Sequence, residues 1–178
     1  LVRSMEEYNC DMVISDFYRV SGERLAQKGD IEEDKVMSRQ EFASYMIENP
    51  ADFYYGVLWN KMYRRSIIEE YHIRMDTSIS WCEDFLFNLE YIRHAESFFA
   101  LQVPIYYYLK RRGSLVSQGA SITNTVRMKS NIFEYYNEFY KDVYEDKDYA
   151  DIRLQVYSFL WAAAKDCLLY TSPSPRDA

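Results

Sequence analysis

Apolar residues recur at helical spacing between residues 85 and 92. The stripe consists of Phe85, Leu86, Leu89 and Ile92. Two adjacent carboxylates, Glu83 and Asp84, stand immediately before it, where acidic side chains meet the positive end of a helix dipole. The pattern therefore predicts a helix that starts at or near Asp84 and ends near His94.

The sequence before this helix alternates between strand and helix patterns. Residues 11–20 form a continuous apolar, β-branched and aromatic run that predicts one strand, and turns at Gly22 and Gly29 predict a hairpin or a loop return after it. Ser38 and Glu41 have the spacing of a capping box that opens a helix. A short helix is expected at residues 66–71 and a buried strand at residues 98–103.

Beyond Gly119 the pattern is helical. Residues 121–144 and 149–170 carry apolar side chains at near-helical intervals, which predicts an antiparallel helix pair packed on the domain or on a partner. The sequence thus predicts an α/β domain, with a small mixed sheet and helices, followed by a C-terminal α-helical pair.

Both ends of the chain look non-native. Leu1 is not an initiator methionine, and residues 171–178 form a Pro/Ser tail that resembles translated sequencing-adaptor sequence. We therefore expect the chain to be a piece of a longer protein and the tail to have no functional role.

Composition and charge narrow the class of protein. A chain of 178 residues with 48% hydrophobic and 28% charged residues is typical of one folded domain, and a net charge of −7 argues against nucleic-acid binding. Three distant cysteines without a C-x-x-C pair suit a reducing compartment and no zinc site, and no apolar run has the length of a membrane span. We expect a cytoplasmic protein, with peripheral association at the inner face of the membrane left open.

Aromatic content is the unusual feature of the composition. The chain has 18 Tyr and 10 Phe against 5 Gly, and tyrosine suits half-buried walls and carbohydrate-facing clefts because it joins an apolar body to a polar tip. An aromatic-rich core and surface is the simpler explanation for most of these residues.

Glu83 and Asp84 carry two interpretations. A carboxylate at a helix start commonly serves as the N-cap, because it accepts hydrogen bonds from the free amides of the first turn. The same position also suits a general base at the mouth of a cleft, since those amides keep the carboxylate ionised and rigid.

Trp59, Asn60 and Lys61 bring an indole wall, an amide and an ammonium within three residues, which together could hold a sugar ring and a phosphate. The alternative is a core tryptophan with two solvated neighbours, or a Lys61 that pairs structurally with a nearby acid. Arg111 and Arg112, with Ser114 beside Gly113, could bind diphosphate oxygens, whereas a solvated strand end is the alternative there.

Metal-binding patterns are weak in this chain. Asp146 and Asp148 spell D-x-D in a charged connection between two predicted helices, which is not the end of a buried strand, so we reject them as a metal motif. His72 and His94 lack a second ligand at metal spacing.

Three stretches, taken in order, carry a family resemblance. They are Leu58-Trp59-Asn60-Lys61-Met62-Tyr63-Arg64-Arg65-Ser66, Trp81-Cys82-Glu83-Asp84-Phe85-Leu86-Phe87 and Pro104-Ile105-Tyr106-Tyr107-Tyr108-Leu109-Lys110-Arg111-Arg112-Gly113-Ser114. Their order and spacing resemble the second half of a bacterial family-2 glycosyltransferase, an inverting enzyme with a GT-A fold, over roughly residues 2–117.

The resemblance implies a division of the chain and a set of roles. Residues 1–117 would be the acceptor-side half of the glycosyltransferase domain and residues 118–170 a helical segment. Asp84 would be the general base, with Glu83 orienting the site or the acceptor. Trp59, Asn60 and Lys61 would line the substrate cleft, and Arg111, Arg112 and Ser114 would lie on the phosphate or acceptor side.

The resemblance also implies partners and a cofactor. The parent enzyme would transfer a hexose-like sugar from a nucleotide-sugar donor to a glycan acceptor in polysaccharide or glycan synthesis. A divalent cation, Mn²⁺ or Mg²⁺, would be held by a D-x-D motif in the nucleotide-binding half. That half and its motif are expected to lie outside these residues, so this segment alone is expected to be inactive.

A non-catalytic interaction module is the competing hypothesis. In it a Tyr-rich surface binds a partner, and Glu83 and Asp84 merely cap a helix. Geometry discriminates the two, since the enzyme hypothesis requires Trp59, Asp84 and the turn at Arg111 and Arg112 to converge on one concavity.

Overall fold

Two small mixed sheets and a set of helices make up the fold. The computed structural model describes residues 1–49, 52–77, 79, 82–109 and 122–171, with the backbone alone for 122–131 and 161–171. In chain order its elements are α1 (Val2–Tyr8), β1 (Met12–Ser15), β2 (Phe17–Ser21), β3 (Arg24–Lys28), β4 (Val36–Ser38), α2 (Arg39–Glu48), α3 (Phe53–Gly56), β5 (Lys61–Tyr63), α4 (Arg65–Glu70), α5 (Glu83–His94), β6 (Ser97–Leu101), β7 (Tyr107–Leu109), α6 (Ile122–Val143) and α7 (Asp146–Thr171).

The larger sheet has the strand order β4-β6-β1-β5. Its central strands β1 and β6 are parallel, with Met12 opposite Phe98, whereas β4 and β5 are antiparallel to their neighbours. All four residues of β1 are buried, because helices or other chain segments cover both faces of this strand. The predicted α/β class with a mixed sheet is confirmed.

The predicted strand at residues 11–20 is in fact two strands in different sheets. β2 pairs with β3 and β7 in a second sheet of order β3-β2-β7, and Asp16 stands between β1 and β2. The Asp16 amide donates to the Leu101 carbonyl at 3.1 Å, and the Asp16 carbonyl accepts from the Ile105 amide at 3.2 Å. The apolar pattern is continuous over residues 11–20, but these long-range hydrogen bonds direct β1 and β2 into different sheets.

Local signals predicted several other elements correctly. The β2–β3 hairpin turns at Gly22, whose φ of 60° lies in the left-handed region that glycine adopts without steric cost. The capping box is present, since the Ser38 hydroxyl accepts from the Glu41 amide and the Glu41 carboxylate accepts from the Ser38 amide. The helices at residues 66–71 and 83–94 and the strand at 98–103 are confirmed within a few residues.

The C-terminal helices pack on the domain itself. Ile132, Tyr136, Phe139 and Tyr140 of α6 are buried in the same core as the larger sheet. Hydroxyl groups of α6 also reach carbonyl oxygens of α2, as in the 2.9 Å bond from Tyr140 to Ala43. The predicted helix pair therefore shares one core with the residues before it.

Phe98 occupies the centre of this core. Its side chain is fully buried and stacks on Phe42 of α2, with ring centroids 4.6 Å apart. Stacked aromatic pairs join area burial to a favourable ring geometry, so this contact fastens α2 to the sheet. Within the described part of the chain, no helix is long and apolar enough to cross a membrane.

We expect Phe98→Ala to lower the free energy of unfolding by about 3–5 kcal/mol, because it leaves a cavity in a core that cannot fully collapse. Urea denaturation followed by circular dichroism measures this loss. Leu154→Ala is the matched control, since Leu154 is 81% exposed and its truncation should change stability by less than about 0.5 kcal/mol. A Phe98→Ala variant as stable as the control would contradict the core assignment.

Candidate functional site

The start of α5 is set by a residue with left-handed backbone. Cys82 is the N-cap, with φ 64° and ψ 17°, and it makes no side-chain capping bond. A non-glycine residue in this region costs about 1–3 kcal/mol, and such residues are concentrated at functional sites. The predicted helix start is confirmed, but the cap is Cys82, so Asp84 lies inside the first turn.

Asp84 is half-buried and lies near a distant segment of the chain. The backbone of Leu58 and the side chain of Lys61 are close enough to its carboxylate to affect its charge. Burial raises the pKa of Asp84 and the neighbouring charge of Glu83 raises it further, whereas the Leu58 amide and the ammonium of Lys61 lower it. The net pKa is raised, which is the direction that suits a general base near neutral pH.

The segment that faces Asp84 begins with the one-turn helix α3. Asp52 caps this helix by accepting from the Tyr54 amide at 2.6 Å. A helix leaves its last carbonyl oxygens without partners inside the helix, and here those oxygens are buried. Side chains of β5 and α5 supply hydrogen-bond donors for these carbonyl oxygens.

Asn88 and Lys61 satisfy these carbonyl oxygens. The Asn88 amide donates to the oxygens of Tyr55, Gly56 and Val57 at 2.9, 3.0 and 3.3 Å. The Lys61 ammonium donates to those of Tyr54 and Val57 at 2.8 and 2.6 Å. Residues 54–57 are therefore held from two sides.

Asn60 joins the same network to β1. Its side-chain amide donates to the Ser15 carbonyl at 3.2 Å and to the Tyr54 carbonyl at 3.0 Å, and its side-chain oxygen accepts from Lys61 at 2.9 Å. Asn60 is fully buried and Lys61 is 7% exposed. The burial of both side chains favours a role in holding the segment over direct contact with a substrate.

Trp59 lies in an aromatic cluster beside this network. Its ring stacks on Tyr106 at 4.2 Å and lies edge-on to Phe17 at 5.0 Å between ring centroids. Phe53 and Tyr108 complete the group, and Phe53 and Tyr106 are about two-fifths exposed. An aromatic wall with polar tips thus stands one residue away from the amide that contacts Asp84.

The structure brings some predicted site residues together and separates others. Trp59, Asn60 and Lys61 lie on the segment that contacts Asp84, whereas Glu83 faces a separate surface pocket with Met75 and Leu86. Consecutive helical residues point about 100° apart, so the two carboxylates serve different surroundings. The predicted residues Arg111, Arg112 and Ser114, and Trp81 of the matching stretch, lie outside the described residues.

Sequence reasoning missed Asn88. This residue is fully buried and also accepts a hydrogen bond from the Tyr63 hydroxyl at 2.6 Å. The available signal was an asparagine in the middle of an apolar helical stripe, four residues after Asp84 and thus on the same face. A buried side-chain amide among apolar neighbours requires hydrogen-bond partners, so its position indicated a buried hydrogen-bond network.

The expected divalent cation has no ligand set in the described residues. No three His, Cys, Asp or Glu side chains in that part of the chain lie close enough together to hold a metal ion. The described residues therefore do not fit a divalent cation.

Comparison with known proteins gives a glycosyltransferase relationship. The chain is 27% identical to EpsJ of Bacillus subtilis (strain 168), an uncharacterized glycosyltransferase, over 116 residues, which are 65% of this chain and 34% of EpsJ. No protein-family model matches the chain. The sequence thus shows weak homology to a glycosyltransferase, and it spans about a third of that relative's length.

Solved structures share the fold. Residues 1–349 of S. aureus TarS in complex with UDP-GlcNAc superpose with a TM-score of 0.59 at 19% identity, over 89% of this chain and 42% of that one. The same TarS region in complex with UDP gives a TM-score of 0.50 at 12% identity, over 93% of this chain and 58% of that one. At these identities the likeness concerns the fold alone.

We expect Asn88→Leu to destabilise the protein by about 2–4 kcal/mol, because it leaves the Tyr55 and Gly56 carbonyls without that donor and the Tyr63 hydroxyl without that acceptor. Asn88→Asp, which keeps an acceptor for Tyr63 but aims a carboxylate at carbonyl oxygens, should be at least as damaging. Urea denaturation provides the measurement. Glu90→Gln, at a partly exposed position of the same helix, is the control and should be nearly neutral. Two Asn88 variants as stable as that control would refute the network.

Proposed function

We propose that the chain forms part of an inverting, family-2 glycosyltransferase of GT-A fold that transfers a hexose-like sugar from a nucleotide-sugar donor to a glycan acceptor hydroxyl. The observation that carries the proposal is the environment of Asp84, a half-buried carboxylate with a raised pKa that lies near the Leu58 backbone and an aromatic wall. The homology to EpsJ and the fold shared with TarS, which was solved with UDP-GlcNAc, support the assignment. A role in polysaccharide or glycan synthesis is part of this proposal.

In the proposed reaction the acceptor hydroxyl oxygen attacks the anomeric carbon as the bond to the nucleoside diphosphate breaks. Asp84 takes the hydroxyl proton, and the diphosphate leaves with the bonding electron pair. The nearby Leu58 backbone favours the charged form of this carboxylate, and Trp59 with Tyr106 offers an apolar face on which a sugar ring can stack. The proposed role of Glu83, to orient the site or the acceptor, rests on the family resemblance, because its side chain lines a separate pocket with Met75 and Leu86.

Two further parts of the proposal concern side chains and a metal site outside the described residues. Arg111 or Arg112, with Ser114, would stabilise the charge of the leaving diphosphate, since guanidinium groups bind phosphate oxygens bidentately. The whole enzyme would also use a divalent cation, held by residues other than those described here. Both statements rest on the family resemblance.

We expect Asp84→Asn to reduce sugar transfer by about 10²–10⁴-fold without weakening the fold. The loss follows because an amide cannot take up the proton, whereas the fold gains from removal of a desolvated charge beside Glu83. Activity should be measured on the full open reading frame that contains this chain, with thermal unfolding of each variant as the folding control.

Replacing Asp84 should also change how the stability of the fold depends on pH. Because the pKa of Asp84 is raised in the folded state, its contribution to stability is complete below its unfolded pKa and is lost as pH rises through the folded pKa. Asp84→Asn should therefore gain stability relative to wild type as pH rises through the acidic range.

Near-normal sugar transfer by Asp84→Asn would contradict the general-base assignment. It would leave Asp84 with a structural role and favour the interaction-module hypothesis.

We further expect these 178 residues alone to show no sugar transfer and no appreciable nucleotide-sugar binding. The expectation follows from the family resemblance, in which the nucleotide and its cation are bound mainly by the other half of the domain; among the described residues no three acidic, histidine or cysteine side chains could hold a metal ion. Isothermal titration with UDP-GlcNAc and Mn²⁺ measures this directly. A micromolar dissociation constant for the isolated chain would contradict the expectation.

A further inference from the structure

We propose that one face of the second sheet, which we call the basic face, binds a phosphate group of the glycan acceptor. Its charged residues are Arg19 of β2 and Arg24 and Lys28 of β3. The inference rests on the proposed function, in which the neighbouring aromatic wall holds a sugar ring, and it adds a chemical class to the acceptor.

The strand register places the three basic side chains on the same face. In the antiparallel pairing of β2 with β3, Arg19 lies opposite Ala26, so Arg24 and Lys28 are its two diagonal neighbours. Diagonal neighbours on one face of a sheet are about 7–8 Å apart, which is within reach of long side chains. Because Ala26 is small, the three charged groups can converge on one anion above it.

No carboxylate of the described residues pairs with these three side chains. All three are exposed, and none makes a side-chain hydrogen bond or an ion pair with another residue of the described part of the chain. Basic side chains elsewhere are paired, as Arg64 is with Asp11 and Arg93 with Asp142. Like charges on one sheet face repel each other, so an anion bound between them would stabilise this arrangement.

The opposite face of the same sheet is apolar. It presents Tyr18, Val20 and Leu25 together with Tyr107 and Leu109 of β7. Every residue of β3 is exposed, so solvent reaches both faces of this strand. Solubility alone therefore does not explain why the basic residues of β2 and β3 share one face, and their segregation indicates a specific use of that face.

The basic face continues into the aromatic cluster around Trp59. Tyr108 of β7 lies opposite Arg19, and Phe17 lies opposite Lys28. Both aromatic rings contact Trp59, with ring centroids 5.0 Å apart for Phe17 and 5.9 Å apart for Tyr108. A sugar stacked on this wall would therefore carry its substituents towards the positive charges.

A phosphate group fits these features best. Guanidinium groups bind phosphate oxygens through paired hydrogen bonds, and an ammonium adds a point charge. Because the chain has a net charge of −7, it repels anions in general, and a local group of positive charges is required to hold one. In the proposed function other residues bind the donor diphosphate, so we assign this phosphate to the acceptor.

The test compares two triple variants that remove the same charge. The first removes the basic face: Arg19→Gln, Arg24→Gln and Lys28→Gln. The control removes three exposed basic residues of α1 and α7: Arg3→Gln, Lys147→Gln and Arg153→Gln. Inorganic pyrophosphate is the probe, and the amide shifts of each isotope-labelled chain are followed by NMR, with circular dichroism as the folding control.

We expect pyrophosphate to cause saturable shifts at the amides of β2 and β3 in wild type and in the control variant. Loss of the basic face should weaken binding by at least about tenfold, because charge-assisted hydrogen bonds to the phosphate oxygens are lost. Equal binding by the two triple variants, or no saturable shift in β2 and β3 of wild type, would overturn the proposal.

Single substitutions keep the test decisive if the first triple variant does not fold. Arg19→Gln is then compared with Arg153→Gln in the same titration, and equal binding by these two overturns the proposal. If Arg19→Gln does not fold either, the wild-type chain decides. Saturable shifts confined to β2, β3 and β7 support the proposal, and their absence overturns it.

A second measurement separates an acceptor phosphate from a lipid headgroup. Wild type and the first triple variant are sedimented with vesicles made of equal parts of phosphatidylcholine and phosphatidylglycerol. Vesicle binding that is lost with the basic face would assign the phosphate to a lipid and overturn the assignment to the acceptor. Pyrophosphate binding without such vesicle binding supports it.

These measurements require no enzymatic activity. Phosphate binding can therefore fail while sugar transfer by the full open reading frame still depends on Asp84. Conversely, pyrophosphate can bind the basic face of a protein that transfers no sugar. The two proposals are thus tested separately.

Discussion

A helix that ends inside a protein must find hydrogen-bond donors for its last carbonyl oxygens, and this requirement organises the site. The one-turn helix α3 ends in buried carbonyls at residues 54–57, which receive their donors from Asn88 of α5 and Lys61 of β5. Because Asn88 must face these oxygens, the rotation of α5 about its axis is fixed. Asp84, one turn earlier on the same face, is thereby directed at the same segment.

The aromatic composition has a corresponding structural use. Tyr140 of α6, which is fully buried, and the partly buried Tyr144 just after it donate their hydroxyls to the carbonyls of Ala43 and Gln40. The spacing of four residues on α6 matches antiparallel packing along α2. Tyrosine therefore provides apolar area and a polar tip at one interface, which is how this chain joins its C-terminal helices to the sheet.

The two adjacent carboxylates differ because the helix separates them. Asp84 is partly buried near the Leu58 backbone and the Lys61 side chain, whereas Glu83 faces a pocket on another side of α5. This asymmetry suits one proton acceptor and one orienting group better than a matched pair. Asn60 and Lys61, expected on the substrate surface, are buried in the structure, whereas Trp59 lies in the partly exposed aromatic cluster that the proposed function assigns to the sugar.

Local patterns were sufficient for features whose causes are local. The start of α5, the capping box at Ser38 and the two C-terminal helices follow from spacing over three to four residues, and the family resemblance located Asp84. The switch of sheets at Asp16, the buried Asn60 and Lys61 and the role of Asn88 were decided by tertiary structure. Each depends on backbone groups that are distant in sequence, as in the bonds from Asn88 to carbonyls 31 to 33 residues earlier. The apolar periodicity of the sequence shows which side chains face the core. It does not show which backbone carbonyl oxygens become buried when the chain folds.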